Sequence, residues 1–254
     1  MIRALGLALA AALAACGTTG GSLVSYNVVG QGPPNAGTYD TSAGWHVELS
    51  TATLYIGAVY LNQTRPNSGI QGTECILPGV YTGEELKGRT IDLLSSAPQP
   101  FPAPGTGTDD EALTGEVWLT GGDVNAETDN TMIADLRGTA TEAAQVLPFS
   151  TQITISVGNR GVMSLPSQPS MNPICKRRIV SPIRIDLRPH DGGTLVITVD
   201  PSSWFNAIDF AQVPVDSTRV PATSVFPDDN SNPASSTLFG AIGAAATTFQ
   251  FSFQ

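Results

Sequence analysis

Charge is scarce in this sequence. Asp, Glu, Lys and Arg make up 13% of its 254 residues, about half the share of an ordinary globular chain, which excludes coiled coils and charged disordered tails. Bases are scarcest: 12 Lys and Arg stand against 22 Asp and Glu, a formal net charge of −10. Nucleic acids and anionic lipids are gripped by clustered cations, so neither is expected as a general partner. His occurs twice and Cys three times. No stretch reads G-x-S-x-G, H-E-x-x-H or as a phosphate loop. No apolar run reaches the roughly 20 residues that a membrane-spanning helix needs. Gly (26) and Pro (19) are plentiful by contrast, and they punctuate many short apolar runs.

The chain opens with one positive charge at Arg3, then residues 4–15, apolar apart from Gly6, then Cys16. A short basic region followed by an apolar run of about 7–15 residues describes a secretory signal. Leu13-Ala14-Ala15-Cys16 resembles the lipobox of bacterial lipoproteins. The resemblance implies removal of residues 1–15, a diacylglycerol on the Cys16 thiol and an N-acyl chain on its new amino terminus. Several acyl chains give stable membrane anchoring where one gives marginal binding. Gly17 stands where an Asp favours inner-membrane retention in enteric bacteria, so the resemblance points to the outer membrane. Residues 16–37, rich in Gly, Ser, Thr, Asn and Pro, read as the lipidated Cys and a flexible tether, leaving 38–254 as a single domain.

Cys75 and Cys175 remain once Cys16 is lipidated, and an oxidising envelope favours a disulfide between them. It would close a loop of about 100 residues, worth roughly 4–5 kcal/mol in the chain-entropy description.

The body reads as an all-β fold: an antiparallel sandwich of short strands with long Gly/Pro-rich loops and one short C-terminal helix. Thr151-Gln152-Ile153-Thr154-Ile155-Ser156-Val157 and Ile179, Ser181, Ile183, Ile185, Leu187 alternate as half-buried strands do. Thr194-Leu195-Val196-Ile197-Thr198-Val199 is apolar enough for the centre of a sheet. Glu116-Val117-Trp118-Leu119-Thr120 reads as a strand. Pro182 marks an edge or a bulge. Residues 97–107 carry four Pro and read as an exposed loop. Ser235-Ser236-Thr237 is a candidate cap for a helix from Leu238 to Ala245. Trp45, Trp118 and Trp204 sit in apolar patterns and are expected in the core.

Candidate chemistry is sparse. His46 and His190, joined by a carboxylate, could bind copper or zinc if the fold brought them together. Asp123, Asn125, Glu127 and Asp129 alternate oxygen donors, but Thr128 and Ala134 break the calcium-loop pattern. Lys176-Arg177-Arg178 forms a small basic patch. These features are read chiefly as a solvated turn, loop and strand edge. No catalytic residue or cofactor is expected.

Gly44-Trp45, residues 52–61, Pro78-Gly79-Val80-Tyr81-Thr82-Gly83-Glu84 and Val199-Asp200-Pro201-Ser202-Ser203-Trp204-Phe205 resemble predicted lipoproteins of myxobacteria and their relatives. The pattern also looks distantly like the copper-associated MbnP-like group, β-sandwiches with His and Trp near a metal. Val80 stands where that group would suggest a His, so no metal ligand is carried over. The expected function is therefore an acyl-anchored envelope lipoprotein with a non-catalytic structural, ligand-presenting or binding role. The alternatives are a copper- or zinc-handling protein and an envelope hydrolase.

Overall fold

The computed structural model describes residues 20–65, 79–120, 130–154, 179–229 and 231–254. In chain order the strands are β1 (Leu23–Gln31), β2 (Thr38–Asp40), β3 (His46–Ile56), β4 (Ala58–Asn62), β5 (Tyr81–Glu85), β6 (Arg89–Asp92), β7 (Gln99–Pro100) and β8 (Gly105–Thr108). There follow β9 (Ala112–Trp118), β10 (Met132–Glu142), β11 (Gln145–Thr154), β12 (Ile179–Leu187), β13 (Thr194–Val199), β14 (Val215–Asp216), β15 (Thr223–Val225) and β16 (Phe249–Phe253). One helix, α1 (Pro233–Ile242), and a single helical turn at Ala245–Thr248 precede β16.

The strands form two sheets in a sandwich-like arrangement. The first runs β12-β9-β4-β5-β8-β1-β13-β16, with β7 also on β1; the second runs β14-β15-β11-β10-β3-β2, with β6 also on β3. Most pairs are antiparallel, as expected, but β1 with β13 and β11 with β15 are parallel.

β3 shows how the pattern is kept in register. Val47 and Leu49 are buried, then Ala52, Leu54 and Ile56, so the inward parity changes from odd to even midway. The ladder with β10 slips at that point: Arg137 faces Thr51 and Gly138 faces Leu49, leaving Ser50 as the extra residue. A bulge of this kind re-aims the side chains beyond it, and here it returns the apolar set to the core. Beyond Ile56 the chain passes into the first sheet through Gly57, whose N–H donates to the Trp118 carbonyl at 2.8 Å. A Cβ there would lie 1.6 Å from the Thr120 carbonyl oxygen, so only glycine fits this corner.

Between the sheets lies an aromatic cluster. Phe149 packs on Phe210 at 5.0 Å between ring centroids, Trp45 on Phe210 at 5.5 Å and Phe226 on Phe210 at 5.8 Å. Trp45 and Trp204 are buried in this core, as the apolar pattern implies; Trp118 is buried as well, but on the other face of the first sheet, because it shares its strand parity with Glu116 rather than with the core residues Val117 and Leu119. The Trp204 indole N–H donates to Thr248 Oγ1 at 3.0 Å, the kind of partner a buried Trp needs.

Several expectations are corrected. Residues 16–37 are not all tether, and the domain does not begin at 38, because β1 lies inside that stretch. Val24, Tyr26 and Val28 are buried, and β1 pairs with β13, β7 and β8. Its period-2 pattern is apolar enough to outweigh the Gly- and Ser-rich flanks. Residues 97–107 are not one exposed loop: they contain β7 and the start of β8, and Phe101 is buried. The helix starts earlier than Leu238. Asn232 caps it by accepting from the Ala234 N–H at 2.8 Å, and Pro233 holds the first helical position, where its missing N–H costs nothing. Pro182 does fall in a bulge between Val180 and Ile183 on the edge strand β12. Cys16, Cys75 and Cys175, residues 123–129 and Lys176-Arg177-Arg178 lie outside the described residues.

Candidate functional site

Glu116, Tyr60, Glu84, Thr106 and Ser25 form one transverse row across five strands of the first sheet. Tyr60 is register partner to Glu116 on one side and Glu84 on the other. Glu84 then faces Thr106, and Thr106 faces Ser25. Directly opposed residues project to the same face of a sheet. On β4 the residues alternating with these, Val59 and Leu61, belong to the core. The row therefore lies on the face turned away from it.

One end of the row is buried. Glu116 is fully buried, and its Oε2 accepts from the Trp118 indole N–H at 3.2 Å and the Tyr81 hydroxyl at 3.3 Å. The Asn62 side chain also faces this carboxyl, without hydrogen-bond geometry to Oε1, which has no partner among the described residues. Burial dominates the electrostatics and pushes the Glu116 carboxyl up to about 7, against the opposing pull of Trp118, Tyr81 and Asn62. Desolvation disfavours the charged form more than these donors favour it. Tyr60 packs against Trp118 at 4.9 Å and Tyr81 at 5.4 Å. Burial, then the charges of Glu84 and Glu116, raise its hydroxyl above its ordinary value.

The other end is open. A groove of about 520 Å³ runs over β8, between β5 and β1, lined in part by Leu23, Ser25, Thr82, Glu84, Thr106 and Asp191. Tyr81 borders the groove as well and so joins it to Glu116. Asp191 is held in place by the Ser25 N–H, which donates to its Oδ1 at 3.0 Å, while the Gly192 N–H donates to the Ser25 carbonyl at 2.8 Å. Small residues make the floor. A Cβ on Gly83 would lie 2.4 Å from the Tyr26 hydroxyl and one on Gly105 2.3 Å from the same ring, so the Tyr26 side chain fills the space beneath.

The two histidines are placed apart. His46 opens β3 in the second sheet, its Nδ1 2.7 Å from Asp40 Oδ1 and its Nε2 3.7 Å from Glu48 Oε1. The Asp40 hydrogen bond, more than any other cause, raises its pKa, which favours imidazolium over the neutral ring that metals bind. His190 sits in the turn between β12 and β13 of the first sheet, edge-on to Phe253 at 5.0 Å. Among the described residues no group of three or more His, Cys, Asp and Glu is placed to hold a metal ion.

None of Glu116, Tyr60, Tyr81 or Glu84 stands out in the sequence as a site residue. A signal is present for one of them: Glu116 has the same strand parity as Trp118, which places a carboxylate and an indole on one face. Set against protein families, curated proteins and solved structures, the chain finds no match.

Proposed function

We propose that this chain is a cell-envelope lipoprotein, held to the outer membrane by acyl chains on Cys16, with a non-catalytic ligand-binding role. Leu13-Ala14-Ala15-Cys16, closing a basic and then apolar leader, is the observation that carries the anchoring. With Gly21 and Ser22 already bonded to Asp110 and Asp109 ahead of β1, residues 17–20 would be the whole tether, and extended chain of that length reaches about 14 Å. The domain would ride close to the bilayer rather than swing on a long leash. The binding role is supported by the open groove on a rigid sheet face. The copper- or zinc-handling and hydrolase alternatives have no observation in their favour among the described residues.

Cys16→Ser tests the anchoring. Metabolic labelling with a fatty acid should be lost and the protein should leave the membrane fraction. Labelling and membrane attachment that persist in the variant overturn the reading.

A further inference from the structure

The groove over β8 differs from the rest of the surface in the sign and pairing of its charges. Its lining carries Glu84 and Asp191 and no basic residue. Neither carboxylate forms an ion pair with a described residue, whereas Asp135 and Asp216 elsewhere on the surface are paired with Arg137 and Arg219. Thr82 also lines the groove; it is 3% exposed, and its Oγ1 is buried without a hydrogen-bond partner among the described residues. A buried hydroxyl left unsatisfied costs free energy that a ligand group could recover. Between the two carboxylates the register places Thr106 of β8, while Leu23 and Tyr81 line the groove to one side of that row.

Resting on the ligand-binding reading above, we infer that the groove takes a linear diamine or polyamine, its two ammonium groups on Glu84 and Asp191 and its methylene chain crossing β8 over Thr106, with Leu23 and Tyr81 on the lining beside it. The spacing fits. Glu84 stands on β5, on one side of β8, and Asp191 is bonded to β1, on the other. With strands about 4.8 Å apart, the span is on the order of 10–15 Å. An extended five-carbon diamine with a hydrogen bond at each end has comparable length. Tyr81 adds a ring face of the kind that attracts ammonium groups.

The test is calorimetric titration of the whole protein, at low ionic strength, with 1,5-diaminopentane and with its uncharged analogue 1,5-pentanediol. The diamine should bind at least tenfold more tightly than the diol. Glu84→Gln and Asp191→Asn should each weaken it about three- to tenfold, and added salt should do the same, as expected of exposed charge pairs. Diamine binding no tighter than diol binding, or unchanged in both variants, overturns the assignment. Thr106→Trp separates that failure from failure of the groove itself. If both probes bind alike and both are lost in Thr106→Trp, the groove is a ligand site and the amine class is wrong. If Thr106→Trp changes nothing, the groove is not the binding site and both readings fall.

Discussion

Glu116 and Trp118 lie two residues apart on β9, and the indole N–H of Trp118 donates to the carboxyl of Glu116 at 3.2 Å with both side chains buried. One neutral donor and a tyrosine hydroxyl do not compensate the burial of a full negative charge, so the native state favours the protonated acid. The pH dependence follows. The carboxyl is pushed up to about 7 in the folded protein, while the unfolded chain releases the proton near its ordinary value. Stability from this group is therefore complete below about pH 4.5 and is lost as pH rises through 7, with a ceiling of about 3 kcal/mol. Glu116→Gln keeps an acceptor for Trp118 and Tyr81 without the charge. It should flatten the fall in the urea midpoint between pH 5 and pH 8 and leave the variant the more stable protein at pH 8. A profile that still falls in the variant would assign the titration to another group.

Strand positions were legible wherever one face alternates cleanly with the other. β12 is visible as alternation through Ile179, Ile183, Ile185 and Leu187, β13 as the continuous apolar run Leu195-Val196-Ile197, and the core positions of Trp45 and Trp204 follow from their apolar surroundings. Legibility failed where short-range composition and long-range pairing disagree. β1 is flanked by Gly and Ser, and its partners β8 and β13 lie far along the chain. β7 and the start of β8 fall in a Pro-rich stretch whose local signal says loop. The transverse row at the candidate site was illegible for a different reason. Its members come from five strands, and only the register brings Glu116, Tyr60 and Glu84 side by side.

The first strand makes a claim about truncation. β1 supplies Val24, Tyr26 and Val28 to the core and is a central strand of the first sheet. Ahead of it, Gly21 and Ser22 are bonded to Asp110 and Asp109. A chain beginning at Gly21 should unfold cooperatively with a midpoint close to that of the mature protein. A chain beginning at Gly32 should show no cooperative transition by near-ultraviolet circular dichroism. Folding of the shorter chain would restore residues 16–37 as a dispensable tether.

His46 offers a titration that is independent of any ligand. Its pKa lies above the ordinary value of 6.5, first because of the Asp40 hydrogen bond. A raised histidine stabilises the fold fully below its unfolded value and loses that contribution as pH climbs through the folded one. NMR titration of the His46 ring should give a midpoint above 6.5, and Asp40→Asn should move it down. An unmoved midpoint would mean that Glu48, the other carboxylate beside the ring, sets it.

Two glycines separate a backbone requirement from a mere composition effect. Gly57 turns the chain between the sheets, with the Thr120 carbonyl oxygen where a methyl group would stand and the Trp118 carbonyl accepting its N–H. Gly57→Ala must displace the turn or the chain that follows β9, and overpacking of that kind costs about 3 kcal/mol. Gly240 lies in α1, and a methyl group placed on it would meet nothing within 4 Å. Gly240→Ala should therefore stabilise the protein by about 0.5–1 kcal/mol, through higher helix propensity and a less flexible unfolded chain. Urea unfolding of both variants beside the parent measures the difference directly. Equal effects at the two sites would contradict the corner at Gly57, because the substitutions are chemically identical and only the surroundings distinguish them.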